Sequence, residues 1–204
     1  MTYDLLIALT WLALVATITP GPNNVMVMAS GANYGFRRTL PHMLGIAFGF
    51  AFMVLLVGLG LAQMFTAIPQ LKTALTVAGI AYLLYLAAKI ALAGSRIAFI
   101  ESAIAPGLTA GLLLQTINPK AYAVNTTLYA GFPFAPENLI FETLVKVLIF
   151  NAIWIPIHLA WLWAGASLHR LNLSPAAQRR INYVMAASML AVVALALMAG
   201  LRAK

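Results

Sequence analysis

The chain has 204 residues, 63% of them hydrophobic and 8% charged, with twelve Lys and Arg, four Asp and Glu, and a net charge of +8. Ordinary soluble domains carry about 25% charged residues, so a water-coated globule is excluded and lipid must cover much of the surface. The basic residues lie mainly in short loops, without a stripe or a reader motif, which excludes nucleic-acid binding. Cysteine is absent, which removes thiolate metal sites and thiol nucleophiles.

Six stretches are long enough to cross about 30 Å of hydrocarbon, and backbone in lipid must pair within its own segment, so each is predicted helical. The first, Leu5–Ser30, follows Met1-Thr2-Tyr3-Asp4; it lacks a positive leader and is too long for a signal-peptide core, so it reads as an uncleaved span. Its middle is Thr19-Pro20-Gly21-Pro22-Asn23-Asn24. Each proline lacks an N–H and crowds the carbonyl four residues earlier, so a break is predicted there. Carbonyls from about Ala16 to Ile18 are left over, and a new helix N-terminus near Asn23 offers N–H groups to an anion.

Span two, Leu40–Phe65, follows a turn at Asn33-Tyr34-Gly35, and span three, Leu71–Leu92, follows Ile68-Pro69. After Gly94-Ser95 comes span four, Gly107–Phe132, interrupted at Gln115-Thr116-Ile117-Asn118-Pro119-Lys120 and carrying Asn125. Lys120 lies near its centre, where a lysine costs about 2.5–3.5 kcal/mol to insert. No carboxylate shares that depth, so a substrate carboxylate is the candidate counter-ion; capping of carbonyls freed by Pro22 or Pro119 is the structural alternative. Span five, Leu139–Ala166, places Asn151, Trp154 and His158 on one helical face, and His158 could carry a proton or sit hydrogen-bonded in the interior. Glu142 and Lys146, one turn apart, read as a solvated surface pair. Span six, Ala176–Gly200, follows a turn at Asn172 to Pro175. The glycine spacings Gly31…Gly35, Gly45…Gly49 and Gly107…Gly111 read as helix packing.

The expected fold is an all-α polytopic membrane protein, a single membrane domain over 1–204. Its six transmembrane helices form two inverted three-helix repeats, about 1–100 and 101–204, with helices 1 and 4 broken by proline. Pro22 and Pro119 occupy matching places, and three spans per half invert the second half. Loops 1–2, 3–4 and 5–6 hold seven basic residues (Arg37, Arg38, Lys89, Arg96, Arg170, Arg179, Arg180), and the other side holds four (Lys72, Lys146, Arg202, Lys204). That bias places both termini outside the cytoplasm.

The broken helices predict a site for small amino-acid-like solutes, built from Pro20, Gly21, Pro22, Asn23, Asn24, Asn118, Pro119, Lys120 and Asn125, with His158, Trp154 and Asn151 as lining or coupling residues. Rocking of one half against the other would expose it alternately; a passive channel or facilitator for zwitterions is the alternative. An enzyme is disfavoured, since no HExxH occurs and no Ser/His/Asp set lies at matched depth. No metal or cofactor is expected, intramembrane carboxylates being absent. The partners are a small-molecule substrate and membrane lipid, with a homo-oligomer left open.

Thr19-Pro20-Gly21-Pro22-Asn23-Asn24 with Gly35-Phe36-Arg37, Gly45, Gly49, Gly79, Ala81-Tyr82-Leu83, Lys89, Asn118-Pro119-Lys120 and Gly165-Ala166 resembles the LysE/RhtB family of bacterial amino-acid exporters across essentially the whole chain. The resemblance implies a six-helix efflux protein of the bacterial cytoplasmic (inner) membrane, an antiporter driven by the proton gradient. Its nearer branch exports homoserine, threonine, cysteine-related and neutral amino acids rather than basic ones.

Overall fold

The computed structural model describes residues 3–58, 69–94, 104–171 and 173–202. The end of span two beyond residue 58, the turn residues Ile68, Ser95 and Asn172, and the charges at Arg96, Glu101 and Lys204 lie outside the described residues. Eight helices make up the described chain: α1 Tyr3–Ile18, α2 Pro22–Tyr34, α3 Phe36–Leu56, α4 Pro69–Ala91, α5 Leu108–Thr116, α6 Pro119–Gly131, α7 Leu139–Arg170 and α8 Pro175–Arg202. Among the described residues α3 and α7 are long and apolar enough to cross a membrane, and α1 and α2 meet the same measure only when taken together across their 47° bend.

The predicted breaks are present in both places. The first falls at Thr19-Pro20-Gly21, and Pro22 then opens α2 at a first-turn position, where its missing N–H is harmless. The second falls at Ile117-Asn118, with Pro119 opening α6 in the same way. Pro41 and Pro156 lie inside α3 and α7 without ending them. A lone proline deletes one hydrogen bond; the paired prolines around Gly21 also fix an extended residue between them.

α2 packs along α7, α3 along both α5 and α7, α4 along α8, and α1 along α7. In lipid the hydrophobic effect does not hold helices together, so close backbone approach must. Glycine supplies it: a Cβ at Gly45 would overlap the Leu108 carbonyl, one at Gly111 the His42 carbonyl, and one at Gly165 the Met28 carbonyl. Gly35 works differently, with φ +79° and open space around it, turning α2 directly into α3. Outward faces carry Trp11, Phe48, Phe52, Val77, Leu148 and Trp163, all exposed, an apolar coat suited to hydrocarbon.

Glu142 and Lys146 are not the solvated surface pair their spacing suggested. Both are buried and ion-paired. The loop after α6 folds back over the first turn of α7, so Glu142 also accepts from the backbone N–H groups of Phe134 (3.1 Å) and Ala135 (2.7 Å). Lys146 lies 4.2 Å from the centre of the Tyr129 ring. The Tyr129 hydroxyl bridges Thr143 (2.8 Å) and the Val54 carbonyl (2.9 Å), joining α6, α7 and α3. Breaking such a pair costs about 3–5 kcal/mol, whereas replacing both members with apolar groups is near neutral. Glu142→Gln is therefore expected to lower the melting temperature in detergent sharply, and Glu142→Gln with Lys146→Met to recover most of the loss.

Candidate functional site

Two apolar clusters meet in the interior, one centred on Leu9, Val54, Leu128 and Phe150, the other on Val27, Ile46, Leu162 and Met189. Between them lies a cavity with about 40 Å³ of water-accessible space, lined by residues of α1, α2, α3, α5, α6 and α7. It has room for about three waters, taking roughly 10–15 Å³ as the minimum for one.

The cavity is built where the two breaks cross. Asn23 Nδ2 donates to Gln115 Oε1 at 2.8 Å, and Asn118 Nδ2 donates to Asn23 Oδ1 at 3.1 Å. This buried amide triad stitches the start of α2 to the end of α5 and the start of α6. Asn24 Nδ2 bridges its own break to the Thr17 carbonyl at 2.9 Å. Lys120 Nζ donates to the Thr19 carbonyl at 2.6 Å, and the Tyr122 hydroxyl donates to the Thr116 carbonyl at 2.6 Å. Each break thus has a carbonyl answered by a polar side chain, as an apolar surrounding demands.

The two interior N-termini differ. Asn118 caps α6, its Oδ1 accepting from the Lys120 N–H at 3.1 Å. Gly21 gives α2 no side-chain cap, so the first-turn N–H groups of Asn23 and Asn24 have no partner within their helix. The Lys120 stem lies over Gly21: a Cβ there would stand 3.0 Å from Lys120 Cδ and 3.2 Å from Nζ. Among the described residues no carboxylate pairs with Lys120. Gly21→Ala is expected to push the ammonium off its seat, loosening a charge-assisted bond worth about 1.5–3 kcal/mol. Efflux should fall about tenfold at unchanged membrane abundance.

Of the sequence-predicted residues, Gly21, Pro22, Asn23, Asn24, Asn118, Lys120, Trp154 and His158 line the cavity. Pro20 instead lines an apolar groove with Met28, Trp161 and Arg180. Pro119 is buried toward Gly79 of α4, whose Cβ position lies 3.1 Å from its ring. Asn151 donates to the Val147 carbonyl of its own helix at 2.8 Å, and Asn125 is fully buried outside the cavity lining with both amide atoms unpaired. Gln115, Phe50 and Phe150 were missed as site residues. Gln115 had a signal, being a third amide at mid-span three residues before Asn118; the phenylalanines, 5.4 Å apart between ring centres, had none.

Residues 14–200 match the family model described as LysE type translocator. The chain belongs to the LysE family. It is 31% identical over 195 residues to a cysteine/O-acetylserine efflux protein of Klebsiella pneumoniae, covering 92% of this chain and 94% of the relative. Proteins of the same description from Escherichia coli K12 and Shigella sonnei are each 29% identical over 188 residues, covering 91% of this chain and 94% of the relative. No solved structure matches it. This LysE-type translocator therefore carries its amide triad and its interior lysine within the matched region, Lys120 inside the stretch 14–200.

Proposed function

We propose that the protein is a secondary exporter of small neutral amino acids and their derivatives, proton-coupled and working by alternating access. One observation carries this reading: an interior ammonium with no carboxylate partner among the described residues, in a cavity at the crossing of two broken helices. A solute carboxylate would take Lys120 from the Thr19 carbonyl and use the uncapped start of α2. The solute ammonium would be met by acceptors along the cavity wall. Cysteine and O-acetylserine, exported by relatives according to their descriptions, are the first solutes to try.

The six-span inverted repeat belongs to the same reading. Pro22 and Pro119 each open the second half of a broken helix. Phe50 of α3 and Phe150 of α7, the next helix of each half, meet ring to ring. Parting of the halves would admit the solute to this cavity at the crossing of the two breaks. The basic-residue bias supports cytoplasmic loops 1–2, 3–4 and 5–6, and burial of Lys146 with Glu142 removes one charge from the opposing side. The test is efflux from cells overproducing the protein, loaded with cysteine or O-acetylserine, with and without a protonophore. Gradient-dependent export is expected. Flux indifferent to the gradient would instead favour a passive facilitator, and no flux of any amino acid would end the reading.

A further inference from the structure

His158 is 1% exposed and lines the cavity. Its ring is stacked on Trp154, with centres 3.7 Å apart and planes 16° from parallel. Nδ1 lies 3.0 Å from the Trp154 carbonyl. A carbonyl only accepts, so Nδ1 carries the ring proton and the neutral imidazole keeps its lone pair on Nε2. Nε2 is buried with no hydrogen-bond partner. Stacking and the Nδ1 bond fix the ring, so Trp154 acts as a positioning residue for that lone pair. Lys120 of α6 is the other titratable group lining the cavity; α1, α2, α3 and α5 contribute Ala16, Thr17, Asn23, Asn24, Phe50 and Gln115 to it, none of which titrates.

We infer that His158 is the proton carrier of the transport cycle, and that its Nε2 holds either a proton or the solute's ammonium but never both. The inference rests on the exporter reading above. With the cavity open to the cytoplasm, Nε2 gives its proton to water and accepts an N–H from the solute's ammonium, while Lys120 takes the carboxylate. With the cavity open outward, the solute leaves and a proton from water occupies the same lone pair. The imidazolium is a donor and a like charge, so it rejects an ammonium. Exclusion at one atom makes the cycle an exchange of one zwitterion outward for one proton inward.

The test uses purified full-length protein in liposomes, with the membrane potential clamped and labelled L-cysteine as the probe; a reductant is harmless because the chain has no cysteine. Vesicles one pH unit more acidic inside should accumulate the probe about tenfold with native protein, the ratio for one proton per solute. His158→Gln should accumulate none above equilibration. It should still exchange labelled for unlabelled cysteine, more slowly, and at a rate that does not change with pH, where native exchange falls on acidification. Gradient-driven accumulation by His158→Gln at the native level, or a native-like pH profile in that variant, overturns the assignment while leaving the exporter intact. Should the variant fail to insert, a flat pH profile of native exchange overturns it equally. Native protein that exchanges no neutral amino acid overturns the exporter reading itself.

Discussion

Lys120→Ala is expected to abolish efflux while the protein still inserts and runs as a single species in detergent. The ammonium is the charged group lining the cavity. In the proposed binding mode the variant removes the partner of the solute's carboxylate, and losing one member of such a pair when it is desolvated costs about 2–5 kcal/mol, a loss of roughly 30-fold to several-thousand-fold in affinity. The variant also leaves the Thr19 carbonyl without its 2.6 Å donor, a smaller loss that should appear as a modest drop in melting temperature. The two losses separate by measurement: radiolabelled efflux reports the first, and thermal unfolding followed by chromatography reports the second. Wild-type efflux from Lys120→Ala would show that the lysine serves only to cap the broken first helix.

The largest effect on stability is expected at the glycines where helices touch through their backbones. Gly45→Leu must separate α3 from α5, because even a Cβ at Gly45 overlaps the Leu108 carbonyl. Gly165→Leu must likewise separate α7 from α2 at Met28. Inserting methylenes into a packed core costs about 1–3 kcal/mol when side chains can adjust; here the obstacle is backbone, and whole helices must move. Both variants should give aggregated material on size exclusion. Gly107→Ala is the control, belonging to the same sequence spacing as Gly111 yet having nothing within 4 Å of its Cβ position. It should stay within about 0.5 kcal/mol of native.

The break at Pro20-Gly21-Pro22 was legible because two prolines flank a glycine, and that at Asn118-Pro119 because the proline stands beside a mid-span lysine; a missing donor alone does not end a helix, as Pro41 and Pro156 show. Lys120 was legible for a related reason: a mid-span charge in an apolar chain has few tolerable settings, and a cavity is one of them. Long-range partners were not legible. Gln115 stands 92 residues from Asn23, and nothing in its neighbours says which amide it meets. Periodicity put Asn151 on one face with Trp154 and His158, but the cavity reaches only part of that face, and Asn151 satisfies itself on its own helix. Glu142 and Lys146 were misread because an i, i+4 pair looks the same whether water or a returning loop covers it. The loop at Phe134 and Ala135 is what buries them.

A structure of the protein with O-acetylserine or cysteine bound decides whether Lys120 seats the solute. The solute is expected between the two breaks, its carboxylate at charge-assisted distance from Lys120 Nζ, roughly 2.7–2.9 Å, with the Thr19 carbonyl released. A solute seated elsewhere, with Lys120 still on Thr19, would contradict it.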